Sequence, residues 1–385
     1  MGKFDLNITY YTAETENCFE NSVQSIINQL SLDDKLPLRF VFFGLSENAQ
    51  SYIEELNIIK HKVTQRFGEQ TPVISYVCQK PLCNSALVLE VHSCSNLSDI
   101  KILYKSFNDI NYIVLENDNV KKLSIGGLMS DDSQQSIGEQ SKHIFEKIAS
   151  IFEHENMPID SIVRQWNYIP YITKITDGTQ HYQEFNDARS HFYGLAKWTN
   201  GYPSATGIGT YTNRVVIDLF AVKPKNESVE IHSLDNKLQT AAHNYSADVL
   251  FYNNIKQNSA PTTPKFERAK IISGIPETLV YISGTAAIRG EESLENIGIS
   301  KQTTNTLENI EFLILNNNLL STNADYIKKM EWKSLRVYLK EAGYYEKAKE
   351  IVTEKYPNIP SVYLLGDICR ENLLVEIEGV VTIME

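Results

Sequence analysis

The chain has 385 residues, of which 42% are hydrophobic and 22% are charged, so it is long enough for two globular domains with sizeable cores. This composition excludes collagen-like, low-complexity and wholly disordered proteins. The formal net charge of −12 would repel an extended polyphosphate, and no basic segment in the sequence offsets it. We therefore expect no nucleic-acid partner.

Features typical of exported, membrane-bound or metal-dependent proteins are missing from the sequence. No segment has the roughly 18 consecutive apolar residues of a membrane span, and the first residues lack the apolar run of a signal peptide. The five cysteines form no Cys-x-x-Cys pair, and no His, Asp or Glu cluster has metal-ligand spacing. We therefore expect a cytoplasmic protein with reduced thiols, no membrane partner, no metal and no cofactor.

The first part of the chain, residues 1–155, is predicted to form one α/β domain. The polar segment Ser130–Glu139 is predicted to be a loop, and Met157–Pro158 ends the helix before it, which places the domain boundary near residue 155. Apolar periodicity predicts strands at Phe4–Tyr10, Arg39–Phe43 and Pro72–Cys78, and a helix at Ile144–Phe152.

The second part, residues 156–385, is predicted to be an α+β domain with a mixed sheet and helices packed on one face. It begins with aromatic and glycine-punctuated segments, and no internal repeat is evident along the chain. Predicted elements then alternate: strand Thr278–Ile282, helix Gln302–Leu315, strand Leu335–Leu339, helix Tyr344–Lys355 and a final strand in LLVEIEGVVTI (373–383).

Two carboxylates on the final strand are the sharpest chemical feature. Glu376 and Glu378 share one face of the strand, about 7 Å apart, because side chains alternate across a strand. If one of them is buried, it becomes a protonated general acid while the other stays ionised. The alternative is that both lie on a solvated sheet face.

The segment DICRENLL (367–374) places Cys369 and Arg370 at the entrance of that strand. Arg370 has a guanidinium that can bind a carboxylate through two hydrogen bonds, and the alternative is a surface ion pair. Cys369 has no recognisable catalytic base in the sequence, so a buried structural thiol is the simpler interpretation. The segments GYPSATGIGT (201–210) and SGTAAIRG (283–290) lack a nucleotide-binding motif, and their glycines indicate either turns or space for a ring-shaped ligand.

Six segments in the same order resemble the chorismatase family, whose members act on chorismate and contain a domain similar to the RidA (YjgF) trimeric deaminase fold. The resemblance covers about residues 155–385 and implies a RidA/YjgF-type, chorismate mutase-like fold for this part of the chain. The segments are RQWNYIPYI, QEFNDARSHFY, YPSATGIG, PKFERA, ISGTAAIRGEES followed by QTTNTLENI, and DICRENLLVEIEGV.

The resemblance implies a role for individual residues. Glu376 would protonate the enolpyruvyl methylene of chorismate, while Tyr252 and Arg268 would bind a substrate carboxylate. Gly284 and Cys369 match the branch of the family that forms hydroxybenzoates, which places Cys369 beside Glu376 in the predicted catalytic set. Arg370 and Tyr202 complete the predicted substrate-binding set.

The sequence departs from the family pattern at two places. The usual GHES reads GEES, with Glu291 in place of a histidine, and the expected YRYP reads FYNN at 251–254. Both changes affect the predicted pocket and therefore the product.

The predicted reaction converts chorismate to pyruvate and a hydroxybenzoate, with 3-hydroxybenzoate favoured and 4-hydroxybenzoate as the other isomer. Three alternatives stay open at this point: a RidA-like imine deaminase, hydrolysis of chorismate to a dihydroxycyclohexadiene carboxylate, and a non-catalytic homologue that binds a small molecule. A monomer is expected, because two related domains of one chain could enclose the pocket.

Overall fold

The computed structural model describes residues 6–14, 18–32, 35–95, 99–250, 261–274, 278–316 and 330–383. Its helices are α1 (Phe19–Gln29), α2 (Ala49–Phe67), α3 (Ile137–His154), α4 (His181–Tyr193), α5 (Gly298–Asn316) and α6 (Tyr345–Lys355). Its strands are β1 (Leu6–Thr12), β2 (Lys35–Gly44), β3 (Val73–Cys78), β4 (Leu87–Ser95), β5 (Lys101–Phe107), β6 (Ile110–Glu116), β7 (Val120–Met129), β8 (Ile162–Pro170), β9 (Ile175–Thr176), β10 (Thr179–Gln180), β11 (Ser204–Thr210), β12 (Val216–Pro224), β13 (Glu230–Leu234), β14 (Ala269–Ser273), β15 (Thr278–Ala286), β16 (Ile288–Arg289), β17 (Glu292–Ser293), β18 (Met330–Leu339), β19 (Ser361–Leu365) and β20 (Val375–Ile383).

Three mixed sheets form the body of the molecule. The first has the strand order β1-β4-β2-β3, the second β11-β8-β12-β7-β6-β5 and the third β13-β14-β15-β20-β18-β19. Each sheet contains one parallel pair, β2 with β3, β8 with β11 and β18 with β19, and a helix connects the two strands of every pair. The same arrangement therefore occurs three times, although the sequence shows no repeat.

Each sheet is buried on both faces. Along β2, Phe40 and Phe42 pack under α1 and α2, whereas Val41 and Phe43 point to the opposite side and join a core shared by all three sheets. This alternation explains why β2 is almost continuously apolar in sequence. Helices α3 and α4 cover the second sheet and α5 and α6 the third, so the helices are outside and the three inner faces meet in a central core.

Buried ion pairs cross this central core and connect the sheets in a cycle. Arg39 of the first sheet contacts Asp218 of the second, Arg164 of the second contacts Glu378 of the third, and Arg336 of the third contacts Glu90 of the first. The N–O distances are 2.5, 2.5 and 2.6 Å. We call these six residues the charged ring. The guanidinium carbons of its three arginines lie 4.0, 4.7 and 5.6 Å from the centre of the Trp166 ring.

The fold confirms the predicted α+β class, with a mixed third sheet that has helices on one face. The predicted strands and helices at 39–43, 72–78, 144–152, 302–315, 335–339 and 344–355 coincide with β2, β3, α3, α5, β18 and α6. The predicted strand at 4–10 corresponds to β1, and residues 4 and 5 lie outside the described part. Strand β19 between α6 and β20 was not predicted, because its five residues follow directly on a proline-containing turn.

The loop predicted at Ser130–Glu139 is wrong at its end, since α3 begins at Ile137. The Ser136 side chain accepts a hydrogen bond from the Glu139 backbone N–H, and the Glu139 carboxylate accepts one from the Ser136 N–H. This capping box satisfies two backbone donors that the first helical turn leaves free. Polarity alone suggested a loop, whereas the Ser-x-x-Glu spacing marks a helix start.

The division into residues 1–155 and 156–385 stays a prediction. Helix α3 ends at His154, next to the proposed boundary, but the second sheet takes β5, β6 and β7 from before it and β8, β11 and β12 from after it. Among the described residues, no helix is both long and apolar enough to cross a membrane.

Candidate active site

A cavity of about 660 Å³ lies where the second and third sheets meet, a size typical of small-molecule sites. Its walls come from α4, β11, β15 and β20 and from the segments 264–268 and 369–373. Alternate residues of β11 and β15 face the cavity, and these are small. They are Ala205, Gly207, Gly284 and Ala286.

Glu376 on β20 faces the cavity and is only 4% exposed. Within the described residues no group donates a hydrogen bond to its carboxyl. Burial, together with the negative charge of Glu378, raises the pKa of Glu376 to about 8. This direction agrees with the expectation that burial keeps the carboxyl protonated near neutral pH, and the role of Glu376 as an acid stays a prediction.

Glu378, on the same face of β20, has the opposite environment. Its two carboxylate oxygens accept hydrogen bonds from Arg164, Thr206, Trp166, Arg336 and Tyr338. Arg164 and Arg336 form ion pairs with this carboxylate at 2.5 and 3.1 Å, and the other three donors are neutral. Both residues are buried, so the alternative of a solvated sheet face is wrong for both. Glu378 is surrounded by hydrogen-bond donors, whereas Glu376 has none among the described residues.

Three arginines line the cavity, and none of them forms an ion pair with a described carboxylate. Arg268 donates to the Thr240 carbonyl at 2.6 Å and to the Tyr245 hydroxyl at 2.9 Å. Arg370 donates to the Glu291 carbonyl at 2.7 Å, and Arg189 to the Asn186 side-chain oxygen at 2.6 Å. Because neutral groups hold them, their positive charge is left to bind an anion.

Arg189 was missed by the sequence interpretation. It is 1% exposed, and its Nε has no hydrogen-bond partner in the described structure. A signal was present, since Phe185, Arg189 and Phe192 have the i, i+4, i+7 spacing of one helical face. An arginine on an otherwise apolar helix face marks a buried charge that needs an anionic partner.

Cys369 lies in the cavity next to Glu376. Burial and the Glu376 charge raise the pKa of its thiol to about 12, so the sulfur is a neutral SH group at physiological pH. It packs against side chains of both the central core and the second-sheet core. Its environment supports a role in shaping the cavity and does not support nucleophilic catalysis.

The rim of the cavity is acidic and contains the first departure from the family pattern. Exposed Glu292, Glu295 and Glu371 lie at the rim. Glu291 accepts hydrogen bonds from the backbone N–H and the hydroxyl of Ser246, at 2.8 and 2.7 Å. Through these bonds Glu291, which stands where the family has a histidine, holds the segment that begins at Ser246 and contributes Val249 and Leu250 to the cavity wall.

Two predicted substrate-binding residues are not in the described cavity. Tyr252 lies outside the described residues, as does the altered FYNN segment. Tyr202 lines a neighbouring pocket, where its ring stacks on Tyr193 and its backbone N–H donates to Glu267. The pocket is separate because alternate residues of the segment 264–268 face opposite sides: Phe266 and Arg268 line the cavity, whereas Lys265 and Glu267 line the pocket of Tyr202.

Gly284 allows Glu376 to lie against the backbone of β15. A methyl group at this position would come within 2.0 Å of Glu376 Oε1 and 3.1 Å of Thr206 Cγ2. A Gly284→Ala substitution is therefore expected to displace the carboxyl and to lower kcat by one to two orders of magnitude (a rough estimate) with little change in KM. Steady-state kinetics with chorismate, the substrate that the resemblance implies, would measure this, with Gly343→Ala as the control because a methyl group there meets nothing within 4 Å. Unchanged kcat in Gly284→Ala would show that the carboxyl position is not critical.

Comparison with known proteins agrees with this geometry. Residues 107–221 match the family model described as "Chorismatase FkbO/Hyg5-like, N-terminal". The chain is 29% identical to a 3-hydroxybenzoate synthase of Streptomyces hygroscopicus over 236 residues, which are 59% of this chain and 65% of the relative. It is also 29% identical to a chorismatase of Streptomyces rapamycinicus over 230 residues, 57% of this chain and 64% of the relative. Both alignments span less than two thirds of the relative's length.

A solved structure of a chorismatase covers 99% of this chain and 99% of its own, with a TM-score of 0.69 and 17% sequence identity. The chain is thus similar in sequence to chorismatases and shares the fold of one of them. The segment that the family model matches runs from the end of β5 into β12. Glu376, Arg268 and Cys369 lie outside that segment, so their roles are proposals.

Proposed function

We propose that this chain is an enzyme that converts chorismate to pyruvate and a hydroxybenzoate without a cofactor. The observation that carries the proposal is one cavity that contains both a buried, protonated carboxyl and three arginines without carboxylate partners. The names of the two relatives support the same reaction. The proposed substrate needs both features. Chorismate is a dianion, which the arginines would bind, and it has an acid-labile enol ether, which the carboxyl would protonate.

Arg189, Arg268 and Arg370 would bind the two carboxylates of the substrate. Each guanidinium offers several N–H donors in one plane, and unpartnered N–H groups remain on Arg189 and Arg268. Their local positive charge acts over a few ångströms, whereas the net charge of −12 is spread over the surface and screened by salt. The acidic rim lies outside this arginine cluster.

Glu376 would transfer its proton to the methylene carbon of the enolpyruvyl group. The carbon–carbon double bond accepts the proton, and positive charge develops on the adjacent carbon and the ether oxygen. The Glu376 carboxylate that results stabilises this cation at short range. The neighbouring ring hydroxyl oxygen then attacks the ring carbon that carries the ether, the bond between that carbon and the ether oxygen breaks, and pyruvate is released. The hydroxyl proton passes to the Glu376 carboxylate, and the three-membered oxide opens so that its oxygen stays on the attacked carbon. A ring hydrogen shifts as the ring aromatises to 3-hydroxybenzoate, so no atom is added or lost overall.

The isomer proposed is 3-hydroxybenzoate. Support comes from Gly284 and Cys369, which match the hydroxybenzoate-forming branch and both line the cavity, and from the name of one relative. The cavity is formed by one chain, and the charged ring joins all three sheets within it, which supports the expectation of a monomer. A cytoplasmic location stays a prediction.

The decisive experiment incubates the purified protein with chorismate, separates the aromatic products by chromatography and assays pyruvate in parallel. Equal amounts of 3-hydroxybenzoate and pyruvate are expected. A dihydroxycyclohexadiene carboxylate with pyruvate would instead indicate hydrolysis. Tight binding of chorismate without product would indicate a non-catalytic homologue, and ammonia release from 2-aminoacrylate without reaction on chorismate would indicate an imine deaminase.

The pH dependence follows from the raised pKa of Glu376. A proton donor acts in its protonated form, so kcat/KM is expected to be constant below a pKa of about 8 and to fall tenfold per pH unit above it. If the acid had the ordinary pKa of a glutamate, the enzyme would instead begin to lose activity above about pH 4 to 5. Pyruvate release across the pH range would measure the midpoint, and activity that rises through pH 8 would contradict the assignment.

A further inference from the structure

The charged ring contains two closely matching sites, and only one of them adjoins a cavity acid. In the second sheet Asp218 of β12 contacts Arg39 of the first sheet and accepts a hydrogen bond from Ser75 of its edge strand β3. In the third sheet Glu378 of β20 contacts Arg164 and accepts one from Thr206 of the edge strand β11. At both sites the residue with the hydroxyl is the strand partner of the residue two positions after the arginine: Ser75 pairs with Val41, and Thr206 pairs with Trp166.

The two sites also share a local irregularity. Asp218 lies where the register between β12 and β7 shifts, opposite Gly126 and Gly127. Glu378 lies where the register between β20 and β15 shifts, opposite Ser283 and Gly284. The residue two positions before the carboxylate shares its side of the strand, and it is Val216 at the first site and Glu376 at the second.

We infer that Glu378, ion-paired with Arg164, is a positioning residue that acts together with burial to keep Glu376 protonated for the proposed reaction. The inference rests on the proposed function in so far as Glu376 is the acid. Glu378 does not line the cavity and does not touch the reacting atoms, so it acts only through Glu376. Asp218 is a carboxylate of the charged ring in the same setting, but the residue two positions before it is an apolar valine and not an acid.

The argument is electrostatic and geometric. A fixed negative charge about 7 Å away on the same strand face opposes ionisation of Glu376. The positive charge of Arg164, which would favour ionisation, is directed at Glu378 and Thr206 at 2.5 and 2.6 Å. The Glu378 carboxylate therefore offsets the charge of Arg164, which acts on Glu376, and at the same time repels a second negative charge on Glu376.

Other titratable groups also face Glu376 from the surrounding elements. Arg268 lies before β14, Cys369 in the loop before β20, and Tyr182 on α4, and Tyr338 of β18 is the strand partner of Glu376. Burial raises the pKa values of Tyr182 and Tyr338, and that of Cys369 as described, so these three groups are neutral. Arg268 and Arg164 favour ionisation, so Glu378 supplies the opposing charge.

The test compares Glu378→Gln with Asp218→Asn, which removes the matching carboxylate at the site without an acid. Glu378→Gln is expected to move the alkaline limb of the kcat/KM profile at least about one pH unit lower, because the repelling anion is lost and Arg164 is left unneutralised. Asp218→Asn is expected to leave the alkaline limb at its wild-type pH. Glu378→Asp retains the charge and is expected to keep the limb near the wild-type pH as well. Equal shifts in the first two variants, or no shift in Glu378→Gln, would overturn the inference.

A second variant and a second measurement make the result independent of folding and of the reaction. Arg164→Gln removes the cation and is expected to move the limb to higher pH, opposite to Glu378→Gln, so it decides the question if Glu378→Gln does not fold. Infrared difference spectra follow the protonated carboxyl band of Glu376, identified by its loss in Glu376→Gln, as the pH rises. If wild-type protein releases no pyruvate, the proposed function fails, yet an unchanged band in Glu378→Gln would still overturn this inference on its own.

Discussion

Replacing Glu376 with glutamine is expected to lower pyruvate release from chorismate by at least about two orders of magnitude, the usual cost of removing a general acid. Glutamine has nearly the same size as glutamic acid and carries no transferable proton. Since folding raises the pKa of Glu376 to about 8, this carboxyl must take up a proton to fold at pH 7, whereas glutamine need not, so the free energy of unfolding should be unchanged or higher in the variant. The measurement is single-turnover pyruvate release, with thermal unfolding recorded on the same samples.

Glu371→Gln is the matched control for this variant. Glu371 also borders the cavity, but it lies exposed at the rim. Because Glu371 is exposed to solvent rather than buried beside the cavity arginines, activity in Glu371→Gln should remain close to wild type. Near wild-type turnover in Glu376→Gln, or equal losses in both variants, would remove Glu376 from the mechanism.

The acid was accessible from the sequence because strand alternation is a local rule. Glu376 and Glu378 lie two residues apart in an apolar segment, so their shared face needs no knowledge of the fold. Which of the two is the acid depends on distant residues. Arg164 and Trp166 lie more than 200 positions earlier in the chain, and of the two glutamates they form hydrogen bonds with Glu378. The resemblance names Glu376 as the acid, and of the two glutamates it is the one that lines the cavity.

The threefold arrangement of the sheets was not accessible in the same way. The crossovers through α2, α4 and α6 repeat in the fold, but the helices have 19, 13 and 11 residues and share no spacing pattern in sequence. The charged ring depends on pairs that are 179, 214 and 246 positions apart, such as Arg39 with Asp218. Isolated charges within apolar strands predict burial and a partner, but the identity of the partner is a tertiary property.

The glycine segments illustrate an intermediate case. Two interpretations of Gly284 were open from sequence, a turn or space for a ligand. The structure shows a third role, since the free space beside Gly284 is occupied by the Glu376 carboxyl. The glycine does leave space beside the backbone of β15, and the group that fills this space is a side chain of the protein itself.

Replacing Arg189 with methionine is expected to raise the KM for chorismate by about 10- to 100-fold, because a charge-assisted hydrogen bond to a buried carboxylate contributes roughly 1.5–3 kcal/mol. The same change should not lower the stability of the free protein. Arg189 is 1% exposed and has no described carboxylate partner, so its burial costs free energy that an apolar side chain of similar length does not. Weaker binding with an equal or higher Tm is the signature of a residue retained for its ligand.

Steady-state kinetics and thermal unfolding of Arg189→Met together separate binding from folding. Arg289→Met is the control, because Arg289 pairs with Glu308 at the surface and does not line the cavity. It should leave KM unchanged. In wild-type protein chorismate should raise the Tm, and in Arg189→Met this increase should shrink in proportion to the lost affinity. A lower Tm with unchanged KM in Arg189→Met would mean that the arginine supports α4 rather than the substrate, and the dianion would then need another partner in the cavity.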